Sequence, residues 1–180
     1  MAVGKTLRLL IQLDEIEPAI NREVLVDGDS TLGDLDQVIK RAMGWYGYHA
    51  HMFRLGKRLI GVPSNNDWVA IEDEEGIRLL DVFARKGQKL GYEYDFGDSW
   101  GHTIRLLETL PAQERDLPVC VAGQRACPPE DCGAVYGYFD ILDLLKKPRS
   151  ASDAETREWL GKYDPEAFDL QAANRRLRGR

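Results

Sequence analysis

The sequence predicts an α+β fold: a mixed or antiparallel sheet of about six strands, one helix packed on it, and a helical C-terminal region. Three observations carry this. Apolar and polar residues alternate in several runs before Glu108, one amphipathic stretch at helical spacing interrupts them, and beyond Gly137 apolar residues recur at helical spacing.

Leu7, Leu9, Ile11 and Leu13 line one face of a first strand, and Arg22 to Val26 resumes an extended pattern after a loop holding Pro18. Ser30 or Thr31 then caps a helix whose stripe is Leu32, Leu35, Val38, Ile39, Ala42 and Met43, ended by Gly44. Tyr48 to Leu55 and Arg58 to Val62 read as a hairpin turning at Gly56 and Lys57, giving a ββαββ start. The acidic stretch Pro63 to Gly76 reads as a solvated excursion, followed by a short apolar helix near Leu79 to Ala84. A second hairpin pairs a strand bearing Leu90, Tyr92, Tyr94 and Phe96 with His102 to Glu108. Between Thr109 and Gly137 prolines and glycines break every periodic pattern. Helices then follow around Ile141 to Leu145, Trp159 to Leu160 and Leu170 to Leu177. The chain therefore reads as one domain, 1–180, composed of a sheet and packed helix (1–108), a Cys- and Pro-rich loop (109–137) and a helical region (138–180).

A chain of 180 residues, 43% hydrophobic and 30% charged, buries a sizeable core unaided. Its net charge of −6 excludes a protein coated in cations for tight nonspecific DNA binding. No apolar run approaches the roughly 20 residues that span a bilayer, so the expectation is a cytoplasmic protein with no membrane partner. The cluster Arg175, Arg176, Arg178 and Arg180 reads as a solvated basic tail, with phosphate contact as the sharper alternative. The sequence assigns no oligomeric state.

Asp95-Phe-Gly97 matches the kinase metal-binding tripeptide, but neither a phosphate-pairing lysine motif nor a catalytic aspartate loop accompanies it. Here Gly97 is expected to relieve strain at a hairpin corner, with Asp95 or Asp98 hydrogen-bonding the turn. His49 and His51 stand two apart in a strand pattern, hence on one face, and His102 opens another strand. Convergence of His49, His51, Asp95, Asp98 and His102 would make a catalytic or metal site of imidazoles and carboxylates; core-edge histidines are the plainer reading. Cys120, Cys127 and Cys132 have the spacing C-x6-C-x4-C, which is neither a redox pair nor a zinc knuckle. Their odd number argues against a disulfide scaffold. Two readings stand: reduced, buried thiols, or three ligands of a structural zinc with His102 as the fourth.

Three segments taken together resemble the plasmid pRiA open-reading-frame-three-like family: Tyr92-Glu-Tyr-Asp-Phe-Gly-Asp-Ser-Trp100-Gly-His102, Gly123-Gln-Arg-Ala-Cys127-Pro-Pro-Glu-Asp-Cys132-Gly133 and Tyr136-Gly-Tyr138. Gly44-Trp45 with His49, His51 and Phe53, and later Trp159-Leu-Gly161, Asp164-Pro-Glu-Ala-Phe-Asp169 and Asn174, extend the resemblance over nearly the whole chain. The resemblance implies a roll-like α+β fold, no established activity, and an association with plasmids and transposases. Two departures concern the Cys-rich loop: no histidine falls in Lys146 to Thr156, and Ala134 stands where a second glycine is usual. The resulting expectation is a small binding or accessory module engaging a protein or nucleic-acid partner. The alternative is a metal-dependent, hydrolase-like enzyme using the His/Asp cluster.

Overall fold

Alternation at the start of the chain produces β1 (Lys5–Leu13) and β2 (Asn21–Asp27), paired antiparallel with Thr6 opposite Asp27 and Gln12 opposite Asn21. The structure is a computed structural model describing residues 4–65, 68–113 and 116–179. Leu7, Leu9, Ile11 and Leu13 are all buried, as period-two side chains on the covered face of a sheet must be.

Helix α1 (Leu32–Met43) opens with a reciprocal cap: Thr31 Oγ1 accepts from the Asp34 N–H at 3.1 Å, and Asp34 Oδ2 accepts from the Thr31 N–H at 2.9 Å. It ends at Gly44, whose φ of 104° suits a residue without Cβ. Its stripe covers the sheet, and Asp36 and Lys40 are buried in that stripe as well. The hairpin that follows is β3 (His51–Leu55) and β4 (Arg58–Gly61), with Phe53 opposite Ile60.

The segment 63–76, expected as a solvated excursion, contains β5 (Glu72–Asp73), which pairs parallel with β4, and a 3-10 turn (Glu74–Gly76) whose Glu74 is buried. Helix α2 (Leu79–Val82) follows. The second hairpin is β6 (Lys89–Tyr94) and β7 (Trp100–Pro111), with Tyr92 opposite His102 and Tyr94 opposite Trp100. Phe96, expected on the buried face, lies past the strand end in the turn and is exposed.

Within the stretch read as an aperiodic loop, β8 (Val119–Gln124) pairs with β2, its register shifting between Glu23 and Val24. Among the described residues the sheet therefore has eight strands rather than about six, in the order β5-β4-β3-β6-β7-β1-β2-β8, antiparallel except for β4 and β5. Helices α3 (Ala134–Lys146), α4 (Ala154–Leu160) and α5 (Leu170–Leu177) form the C-terminal region. More than one helix packs inward, because Ala173 and Leu177 of α5 are buried in the same core as α1. Among the described residues, no helix is long and apolar enough to cross a membrane.

Candidate metal centre

His49, Asp95 and Asp131 bring one ligand atom each to within 4.8 Å of one another, the sole such grouping of His, Cys, Asp and Glu among the described residues. Three separate backbone features place them. The Asp95 N–H donates to Ala50 O at 2.9 Å, extending the β3–β6 ladder past its end so that His49 and Asp95 become neighbours. Asp95 then turns the chain at a φ of 58°, a conformation Asp tolerates better than most residues, and its Oδ1 accepts from the Gly97 N–H at 2.9 Å. Gly97 was expected to carry the strain of this corner, but the positive φ angles fall on Asp95 and Ser99.

Asp131 comes from the loop before α3, where it too adopts a positive φ, of 57°. That loop is fastened on several sides. Trp45 Nε1 donates to Pro128 O at 3.1 Å, the Tyr46 N–H donates to Glu130 Oε2 at 2.7 Å, and the Tyr94 hydroxyl donates to Glu130 Oε1. The Gly133 N–H donates to Asp98 Oδ2 at 3.2 Å, so Asp98 clamps the two turns together and is not a member of the donor set. Burial and the Glu130 carboxylate both raise the Tyr94 hydroxyl above its ordinary pKa, which keeps it a donor.

His49 Nε2 is 3.0 Å from Asp131 Oδ1 and 3.6 Å from Asp95 Oδ2. The nitrogen is buried and makes no hydrogen bond, although Asp131 Oδ1 stands only 3.0 Å away. Donors bound to one ion at about 2.0–2.2 Å, with tetrahedral or octahedral angles, stand roughly 3.0–3.5 Å apart and point at the ion, not at each other. The His49–Asp131 spacing fits that case, and the His49–Asp95 spacing lies just beyond it. Asp131 is half exposed and opens onto a cleft of about 410 Å³ walled by Tyr46, Tyr48 and Trp159. Tyr46 and Tyr48 stack with centroids 5.9 Å apart, and the Tyr48 hydroxyl donates to Asp131 Oδ2 at 3.4 Å.

The other expected site residues go elsewhere. His51 opens β3, whereas His49 precedes the strand, and it engages different acids: Nδ1 is 3.2 Å from Asp36 Oδ1 and Nε2 is 2.7 Å from Glu74 Oε2. Lys40 Nζ at 2.5 Å, the Tyr92 hydroxyl at 2.7 Å and Gln37 Nε2 at 3.1 Å also contact Asp36. This buried network fastens α1 and the 3-10 turn to the sheet. His102 is wedged between Trp45 and Tyr92, and its Nδ1 donates to Trp100 O at 3.0 Å.

The thiols of Cys120, Cys127 and Cys132 do not gather with His102 into a ligand set. Cys120 on β8 donates to Ala122 O, Cys127 is buried behind the loop, and Cys132 sits at the entry to α3. All three are free, and burial raises each thiol's pKa, that of Cys132 to about 12. A thiolate ligand would have to form against that penalty. Asp131 escaped the sequence reading; its signal was an Asp in a Pro-Pro-Glu-Asp turn, a residue type suited to left-handed backbone.

Asp95 and Asp131 come from two of the segments that carry the sequence resemblance and His49 from its extension near the start, and a solved structure shares the arrangement of the chain. A protein of unknown function from Methanosarcina mazei Go1, MM3350, has a crystal structure that superposes with a TM-score of 0.86 at 35% identity, covering 95% of this chain and 97% of that one. The uncharacterized protein y4hQ of Sinorhizobium fredii (strain NBRC 101917 / NGR234) is 35% identical over 173 residues, 96% of this chain and 88% of that protein. Residues 5–172 match the family described as plasmid pRiA4b ORF-3-like protein, and the chain belongs to that family.

Proposed function

We propose that the chain binds one divalent metal ion through His49, Asp95 and Asp131 and acts through it on a ligand entering the Tyr46–Tyr48–Trp159 cleft, as a metal-dependent, hydrolase-like protein. The observation that carries this reading is His49 Nε2, buried and without a hydrogen bond, yet 3.0 and 3.6 Å from two carboxylates. One imidazole with two carboxylates suits Zn²⁺ or Mn²⁺. Three protein donors leave positions for water and ligand, and an ion there would supply Lewis-acid polarisation and a more acidic water. Asp95 is the rigid donor, fixed by its own turn; Asp131 is the donor at the cleft mouth; Glu130 is a positioning residue, since both its oxygens are occupied in holding the loop.

Titrating chelator-treated protein with Zn²⁺ and Mn²⁺ by calorimetry tests the centre. One ion per chain is expected, with affinity lowered by about tenfold or more in His49→Gln and Asp131→Asn. A native chain that takes up no ion, or variants that bind as well as it does, would sink the reading. For the hydrolytic step, ion-loaded protein assayed on chromogenic carboxyl and phosphate esters should lose turnover in Asp131→Asn.

Service as a binding module for a protein or nucleic-acid partner is the second reading. The observation favouring it is a groove on the C-terminal helices that adjoins the cleft.

A further inference from the structure

Helix α3 has the sequence of a core helix, Ala-Val-Tyr-Gly-Tyr-Phe-Asp-Ile-Leu-Asp-Leu-Leu-Lys, yet only its Tyr138 and Ile141 are buried, and α4 buries no residue at all. Between them runs a groove of about 560 Å³. Ile141, Leu144 and Trp159 supply its apolar wall, and the Trp159 indole is 53% exposed. Asp131, Asp140 and Glu155 supply its charge, and among the described residues no lysine or arginine lines it.

Two nearby cations are committed elsewhere. Arg157, on α4, pairs with Asp153 at 2.7 Å and donates to Leu144 O and Lys147 O, while Lys146 on α3 pairs with Asp143 at 3.0 Å. Asp140 and Glu155 have no hydrogen bond or ion pair among the described residues. An apolar trough with unneutralised carboxylates and an open indole face is complementary to a segment that is apolar and cationic at once. Phosphate backbone would be repelled by the same rim.

We infer that the α3–α4 groove is the docking surface for a basic peptide segment of a partner protein, an apolar side chain seating against Ile141 and Trp159 with flanking Lys or Arg side chains paired to Asp140 and Glu155. The groove adjoins the metal centre, sharing Asp131 and Trp159 with its cleft, but Asp140 and Glu155 belong neither to the donor set nor to the cleft.

The test is fluorescence anisotropy with a fluorescein-labelled peptide of alternating leucine and arginine, beside a control in which glutamate replaces arginine. The arginine peptide is expected to bind the full chain, more weakly as salt rises, and the glutamate peptide not to bind. Asp140→Asn with Glu155→Gln should weaken binding about fivefold, as expected for two rim charges. Trp159→Ala should weaken it further. These side chains are exposed, so unchanged melting temperatures would separate lost docking from lost fold. Equal binding of both peptides, no binding of either, or no effect of the charge variants overturns the inference. So does sedimentation showing that a second copy covers this face, or capture of labelled single-stranded DNA that the same variants abolish.

Discussion

His102 is 1% exposed, and desolvation lowers its pKa from 6.5 to about 4 despite the hydrogen bond to Trp100 O. Between those values the unfolded chain takes up a proton that the folded chain excludes, so stability falls as pH drops from about 6.5 toward 4 and levels off below. The loss amounts to at most roughly 3 kcal/mol. Urea unfolding near neutrality and at about pH 4.5 should show it, and His102→Gln should flatten the dependence within that window. An unchanged slope in the variant would assign acid sensitivity to other groups. At this scale the sequence exposed the right residue types but not their partners. Spacing placed His49 and His51 on one strand face, but the strand begins only at His51, and one histidine meets Asp131 while the other meets Asp36 and Glu74. A period of two reports a face; it carries no information about which distant segment arrives to cover it.

Elements with a continuous local pattern were legible, among them β1, β2, α1, the β3–β4 hairpin and the β6–β7 hairpin. Strand β8 was not, because Gly123 and a register shift interrupt its alternation and prolines flank it. The start of α3 hid a further constraint. A Cβ on Gly137 would lie 1.9 Å from the Cys132 carbonyl oxygen, a backbone atom that cannot swing aside. Gly137→Ala should therefore push the helix away from the Asp131 loop, at a cost of roughly 1–3 kcal/mol. The expected outcome is a lower melting temperature together with faster amide exchange across 127–137. Native-like exchange there would show that the close approach is dispensable.

Across the whole molecule, Arg22 connects parts that no local pattern relates. Only 2% exposed, it donates from Nε to Ala42 O at 3.0 Å and from Nη1 to Asn21 O at 2.6 Å and Gln124 O at 3.0 Å, and its guanidinium lies 4.5 Å from the Phe168 ring centroid. One side chain thus joins the end of α1, β2, β8 and the C-terminal segment. Arg22→Met keeps much of the volume but leaves carbonyls unpaired, and should cost roughly 3 kcal/mol or more in chemical denaturation. A loss below about 1 kcal/mol would mean that packing alone holds these layers.

The position of β1 has a consequence in time as well as space. It lies between β2 and β7, and Thr6 finds its second partner only at Leu110. During synthesis the first hairpin therefore emerges with one edge open, and must wait for most of the sheet to be made before that edge is covered. Until then it presents the apolar row Leu7, Leu9, Ile11 and Leu13 beside unpaired backbone donors and acceptors, the combination on which nascent chains aggregate or recruit chaperones.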